Sequence, residues 1–299
     1  MGRDNKTSRI DQLLSMAWST NSPARSVSIA RQVLELSPEN TDALIIIADN
    51  TEDPEERIRI LSRAMASLDA EGNCKPEDRE ILRLTVNERL AYTYFSDGNF
   101  SDALSACEEA LKIIAASDDP DAQENEQDMK TLYYRLLSEL KEWHKILSET
   151  MKDEEHYPAW GYSRLVAAWM TAPGRSMAVC ANMFWDALML SPDIPFYMLG
   201  YLEEPDDNSD SQEQDDFDFA LMYYDVISVS DDLCNWFTRG AILFGLLTNR
   251  FDGREREYVL DVLDTLGGYE EYERMSSVVV EGDDRAVIEM LAANKCLSE

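Results

Sequence analysis

The sequence of 299 residues predicts an all-α protein built of antiparallel helix hairpins. Apolar residues recur at spacings of three and four over much of the chain, which places them on one face of a helix. Similar helix pairs recur along the chain, and such repetition is typical of stacked helical arrays. The best β-like run, residues 276–280, is only five residues long and fits a helix end equally well.

The clearest helix pair lies within residues 87–115. Gly98-Asn99 separates a first helix from a second helix that begins near Phe100. The second helix carries small residues at spacings that place them on one stripe, so the two helices are expected to approach closely. The small residues of that stripe are Ala103, Cys107 and Ala110.

Weaker copies of this pattern flank the clearest pair on both sides. Two of them end in Leu-Ser-Pro, at residues 36–38 and 190–192, and proline can begin the next helix but cannot continue the old one. About five hairpins are predicted, above the rough minimum of three that a stacked array needs. The further predicted helical segments are residues 26–38, 44–48, 60–65, 132–137, 143–147, 160–170 and 177–190.

Residues 102–111 resemble the second helix of a tetratricopeptide repeat. Residues 159–165 and 187–200 are similar to a family of uncharacterised tetratricopeptide-like proteins with an Ala-Trp-x-Tyr helix and an Asn-Pro-His-Val-Pro-x-Tyr-Leu-Leu-Gly turn. Ser191 and Asp193 stand where that turn has Asn and His. The resemblance covers about residues 25–247. It implies a right-handed superhelix of hairpins with an interaction role and no assigned catalytic residues.

The predicted organisation has three parts: a repeat array over residues 1–200, an acidic loop over 201–218 and a C-terminal helical extension over 219–299. The acidic loop is predicted from residues 203–218, which contain nine acids and no base. The extension begins with two apolar helices and is then interrupted by glycines, which predicts short helices that cap the open end of the array.

The net charge of −32 excludes the simplest nucleic-acid partners, because binding to phosphates needs clustered Lys and Arg. Attraction to anionic membranes is disfavoured for the same reason. No apolar run approaches the roughly 20 residues needed to span a bilayer. The N-terminus lacks an apolar signal-peptide core and the five cysteines are scattered, so a cytoplasmic location is expected.

Metal and nucleophile chemistry is not predicted from the acids or the histidines. Asp206, Asn208 and Asp210 match three positions of a calcium loop, but Ser211 stands where that loop needs Gly and Phe217 where it needs Glu. A solvated acidic linker is the better interpretation, and no cofactor is expected.

The chain has two histidines, His144 and His156, and neither has a recognisable Ser or Cys elbow near it in sequence. A triad can still assemble in space, so the missing motif does not disprove catalysis. The sequence favours a non-enzymatic protein.

One segment differs from the rest of the chain. Residues 176–238 contain no Lys, Arg or His but hold fourteen acids and eleven of the 28 aromatic residues. If the aromatics are exposed, the segment can attract a basic peptide and hold it by apolar and cation–π contacts. If they are buried, the acids only solvate the surface. The candidate partner-binding residues, in this segment and the preceding helix, are Trp160, Tyr162, Tyr197, Tyr201, Glu203, Glu204, Tyr223, Tyr224 and Trp236.

The leading hypothesis is a scaffold that binds a protein or peptide of basic or mixed charge in the concave face of its superhelix. A small hydrolase or transferase is the main alternative, with a site between the repeat array and the C-terminal helices that uses His156 and acids of residues 203–218. An acidic mimic of nucleic acid is a further alternative. The oligomeric state stays open.

Overall fold

A computed structural model of the chain describes residues 2–69, 76–118, 120–123, 125–152, 157–171, 177–206, 209, 211–278 and 283–298. Over these ranges the chain forms helices and short connections, with no β-strand. Consecutive helices pack against each other, which confirms the predicted all-α class. The chain divides into two compact units, Met1–Leu136 and Leu137–Glu299.

The first unit contains the predicted N-terminal hairpins. The strongest packing is between neighbours in the chain, above all between the two helices on either side of Gly98. Its helices are α1 (Gly2–Trp18), α2 (Pro23–Leu36), α3 (Thr41–Asp49), α4 (Pro54–Asp69), α5 (Pro76–Ser96), α6 (Phe100–Ala116), α7 (Pro120–Gln123) and α8 (Glu126–Glu139), the last of which runs past the boundary.

The second unit contains the predicted helix pair of residues 160–170 and 177–190 and continues into further helices. The helix predicted at residues 143–147 packs on the first helix of that pair. Its helices are α9 (Trp143–Thr150), α10 (Pro158–Thr171), α11 (Met177–Leu190), α12 (Ile194–Met198), α13 (Ser211–Ile227), α14 (Asp231–Leu247), α15 (Gly253–Thr265), α16 (Tyr269–Ser276) and α17 (Asp284–Ala293). The predicted acidic loop 201–218 therefore overlaps the first two turns of α13.

Local sequence signals explain several helix ends. Gly98 has a φ of 76°, a left-handed conformation that glycine adopts without strain, and it ends α5 so that α6 can fold back. The Asn40 side chain accepts a hydrogen bond of 2.9 Å from the Ala43 backbone N–H and thus caps α3. In the same way, Ser230 caps α14.

The core of the first unit is made of aliphatic and small side chains. Along the α5–α6 pair, Ala91, Ala103, Cys107 and Ala110 are fully buried. These small residues allow two helix backbones to approach closely. The predicted stripe on α6 is confirmed.

The core of the second unit is aromatic. Phe184 lies at its centre, with ring centroids 4.9 Å from Trp185, 5.6 Å from Trp236 and 5.3 Å from Phe237. Edge-to-face arrangements of this kind are favourable for aromatic pairs. The large aromatic side chains buried in this unit include Trp160, Tyr162, Phe184, Trp185, Phe196, Tyr223, Trp236, Phe237 and Phe244.

None of the described helices has the length and apolar character that crossing a membrane requires.

Candidate functional site

Residues 176–238 form most of α11 to α14 in the second unit, and their aromatic side chains divide into a buried set and an exposed set. This division decides which of the sequence-predicted residues can contact a partner. Only exposed aromatic side chains next to acids can serve as the predicted docking surface.

Both candidate tryptophans, Trp236 in this segment and Trp160 in the preceding helix, are buried. The Trp160 Nε1–H donates a 2.9 Å hydrogen bond to the Thr150 carbonyl oxygen. The Trp236 Nε1–H donates a 3.2 Å hydrogen bond to the Leu297 carbonyl oxygen. Both side chains are buried by packing and tied to the backbone, so they are removed from the candidate surface.

Two of the predicted tyrosines are also core residues. The Tyr223 hydroxyl is hydrogen-bonded to Ser163 Oγ at 2.8 Å, and its ring stacks on Phe219 at 4.3 Å. Tyr162 is fully buried between Phe219 and Phe237. These two tyrosines join α10, α13 and α14 and are likewise removed from the candidate surface.

Tyr197 and Tyr201 occupy an intermediate position. Each is half-buried, with the Tyr197 ring 5.6 Å from Phe217 and the Tyr201 ring 5.1 Å from Phe251. Burial raises the pKa of the Tyr201 hydroxyl, and the nearby Tyr258 adds to that shift. Both residues keep part of their surface accessible at the edge of the core.

Glu203, Glu204 and Tyr224 are exposed, as the sequence hypothesis required. The two glutamates lie in the connection before α13, whereas Tyr224 lies on α13 itself, with 54% of its surface accessible. The nine candidate residues therefore do not form one cluster.

The outward face of α13 is the most exposed apolar surface in the segment. Phe217, Leu221 and Tyr224 follow one stripe at spacings of four and three residues. Leu221 is 66% exposed, whereas Phe217 is half-buried and packs against Tyr197. Asp218 and Asp225, both exposed, run beside this stripe. These five residues are named the α13 outward face below.

Sequence reasoning missed Leu221, although a signal for it existed. Ala220, Tyr223 and Ile227, at spacings of three and four residues, form the buried side of α13. The helical periodicity places Leu221 on a different side of the helix. It also missed Tyr258 on α15, which is 63% exposed. Burial of that position depends on which other helices cover α15, and a one-dimensional pattern does not contain this information.

A buried carboxylate fixes the start of α13. Asp216 is only 5% exposed, and its two carboxylate oxygens accept hydrogen bonds from Ser191 Oγ and Gln212 Nε2. Burial raises the pKa of this carboxyl group, while the two hydrogen bonds oppose that shift. Ser191, which replaces the Asn of the resembled turn, thus anchors α13.

Asp193, the other departure from that turn, also has a structural contact. Arg250 bridges Asp193 and Asp284, with N–O distances of 2.5 Å and 2.6 Å. Its guanidinium group lies 5.0 Å from the centre of the Phe196 ring, a cation–π contact. This arginine links α12 with the start of α17.

A cavity of about 730 Å³ lies among α11, α14, α16 and the C-terminal residues of the second unit. Its charged lining consists of Arg239, Arg274, Lys295, Glu270 and Glu271. Glu271 Oε1 lies 3.5 Å from Arg274 Nη2. The positive and negative side chains thus largely offset each other, and the lining defines no ligand class.

Metal-binding groups are not brought together within the described ranges. No three His, Cys, Asp or Glu side chains there are placed to hold a metal ion. His144 is exposed on α9, and His156, Asn208 and Asp210 lie outside the described residues. Burial raises the pKa of the Cys107 thiol to about 12, so its thiolate is scarce near neutral pH.

Comparison with known proteins gives no relative for this chain: no protein-family model, no curated protein and no solved structure matches it.

Proposed function

We propose that the chain is a non-enzymatic helical-repeat scaffold of the cytoplasm that binds a protein segment of basic or mixed charge on the α13 outward face. One observation carries the proposal: Leu221 and Tyr224 are 66% and 54% exposed beside the acids Asp218 and Asp225. Large exposed apolar side chains next to one sign of charge are typical of interaction surfaces.

The charge and the apolar groups contribute at different stages of binding. The fourteen acids of the base-free segment 176–238 attract a basic partner over distance and raise the association rate. Tyr224 and Leu221 then supply contact area, and tyrosine is enriched among the residues that dominate interface energies. Such a surface selects basic partners over acidic ones.

The two alternatives have less support. The hydrolase or transferase depends on His156, which lies outside the described residues. A mimic of nucleic acid needs acids spaced like phosphates, about one charge per 3.4 Å along a strand. Asp218 and Asp225 are about 10 Å apart along the helix axis, at a rise of 1.5 Å per residue, and Leu221 lies between them.

A peptide-binding experiment tests the proposal. Two peptide pools of equal apolar content, one rich in Lys and Arg and the other in Asp and Glu, are titrated with the full chain and followed by fluorescence anisotropy. We expect the basic pool to bind and its binding to weaken at high salt, because exposed charges are screened. The double variant Leu221→Ser/Tyr224→Ser should lose most of this binding.

Tyr258→Ser is the matched control, since Tyr258 is an exposed aromatic residue of the same unit, 63% accessible against 54% for Tyr224, and lies on α15. It should leave the binding of the basic pool unchanged. Equal binding of both pools, or equal loss of binding in the control and the double variant, would overturn the proposal.

A further inference from the structure

The spacing of residues on the α13 outward face restricts the conformation of a partner segment, an inference that rests on the function proposed above. Phe217, Leu221 and Tyr224 form a continuous apolar stripe along two helical turns. Asp218 and Asp225 lie on one side of it, seven residues apart, which corresponds to about 10 Å along the axis.

We infer that the α13 outward face binds an amphipathic α-helix that carries two basic residues seven positions apart beside an apolar seam. A helix laid along α13 repeats its side-chain positions almost every seven residues, so one Lys or Arg can face Asp218 while the next faces Asp225. Its apolar seam then packs on Leu221 and Tyr224, as in helix recognition by an apolar groove.

An extended segment does not match this spacing. In a β-strand the rise is about 3.3 Å per residue, so a distance of 10 Å corresponds to about three residues. Side chains three residues apart in a strand point to opposite faces. Two bases placed to reach Asp218 and Asp225 from a strand would therefore point in opposite directions.

The α13 helix is anchored to the rest of the second unit on the side away from this face. Its opposite side is fixed by the Ser191–Asp216 hydrogen bond, by the Tyr223–Ser163 hydrogen bond and by the burial of Ile227. A preformed surface lowers the ordering cost of binding, so the partner helix bears most of that cost.

A second copy of the same face is a poor occupant. Pairing two α13 helices antiparallel through this face would bring Asp218 and Asp225 of one chain near those of the other, and like charges repel at such positions. The surface fits a basic helix of another protein.

Three synthetic peptides of identical composition test the inference with the full chain at low salt. The first forms a helix with an apolar seam and two Lys residues seven positions apart beside it. The second moves one Lys to the opposite side of the helix, and the third moves a proline from its end to its centre, which breaks the helix. We expect the first to bind about tenfold more tightly than the other two by fluorescence anisotropy, a difference of about 1.4 kcal/mol.

Protein variants locate the binding. Leu221→Ser and the double variant Asp218→Asn/Asp225→Asn should each lower the affinity for the first peptide. Only the double Asn variant should also reduce the dependence of that affinity on salt concentration. Tyr258→Ser should change neither the affinity for the first peptide nor its salt dependence. If the proline-broken peptide binds as tightly as the helical one and is still lost in Leu221→Ser, the helix inference is wrong while the proposed function stands. If none of the three peptides and no basic pool binds, the proposed function fails as well.

Discussion

The two units are both built of packed helices, but their cores contain different side chains. The buried residues of the two core clusters in Met1–Leu136 are Leu, Ile, Val, Ala, Met and Cys. In Leu137–Glu299 the core is rich in Trp, Tyr and Phe, and glycines occupy the closest approaches. Small side chains let successive hairpins repeat one packing pattern, whereas large rings need individually shaped spaces.

The two units therefore differ in what buries their side chains. In the first unit these are mainly helices that are neighbours in the chain, and in the second unit they are residues distant in the sequence. On α6 the positions Ala103, Cys107 and Ala110 form the buried face of a helix that packs mainly on its neighbour α5, and the Cys107 thiol also donates a hydrogen bond to the Met129 carbonyl oxygen of α8. Trp236 on α14 is buried by Trp169, by Phe184 and by Leu297, whose carbonyl oxygen accepts its hydrogen bond from 61 residues further along the chain. The first arrangement is visible in a local sequence window and the second is not.

The largest effect should come from removing the central ring of the aromatic core. Phe184→Ala deletes a fully buried ring that contacts Trp185, Trp236 and Phe237, and should lower the free energy of unfolding by about 3–5 kcal/mol. Urea unfolding followed by tryptophan fluorescence measures this loss, because five of the six Trp residues lie in the second unit.

Leu61→Ala is the counterpart in the first unit, where Leu61 is fully buried. Its cost should lie in the range of about 2–5 kcal/mol and should be read from far-UV circular dichroism, since Trp18 is the only tryptophan in that unit. A Phe184→Ala chain that unfolds at the wild-type urea concentration would contradict the account of an aromatic core.

Adding a single methyl group should have the next largest effect. A Cβ atom on Gly240 would lie 2.6 Å from both Leu297 Cδ1 and Phe184 Cε1, so side chains of the packed core must shift. Gly240→Ala should therefore lower stability by about 1–3 kcal/mol, although alanine is the better helix former. Thermal unfolding followed by circular dichroism measures the change.

Ala66→Gly at an exposed position of α4 measures the helix-propensity difference alone, about 1 kcal/mol in favour of alanine. If Gly240→Ala proved more stable than the wild type by that amount, the close approach of Leu297 and Phe184 would carry no energetic weight. Glycine would then not be required where Gly240 approaches the aromatic core, and this difference between the two units would not hold.

The sequence predicted the helix pairs well because their signals are local. Gly98 between two apolar stripes predicts the α5–α6 hairpin, and the structure confirms it with a left-handed glycine at that position. Leu36-Ser37-Pro38 and Leu190-Ser191-Pro192 likewise mark the ends of α2 and α11. The superhelical arrangement of the hairpins and its handedness stay predictions.

The exposure of the candidate residues was predicted only in part. Glu203, Glu204 and Tyr224 are exposed, but the start of α13 inside the acidic run was missed. Acids in the first turn of a helix are favoured by the helix dipole, so a run of acids does not exclude a helix start. The burial of Asp216 against Ser191 depends on a contact across 25 residues, which the acidic pattern does not reveal.

The smallest expected effect concerns that buried carboxylate. Because the pKa of Asp216 is raised by burial, its ionised form is less stable in the folded state, and the resulting penalty grows as the pH rises from the unfolded pKa through the folded pKa. Asp216→Asn removes this titration. The unfolding free energy of the wild type relative to Asp216→Asn should therefore increase when the pH falls from 7 towards 4. Urea unfolding of both chains at several pH values measures this difference. Asp218→Asn, which removes an exposed carboxylate of the same helix, controls for the loss of one charge.

A difference that shrinks on acidification would show that the Ser191 and Gln212 hydrogen bonds outweigh burial at Asp216. The start of α13 would then be anchored by an ion favoured at neutral pH.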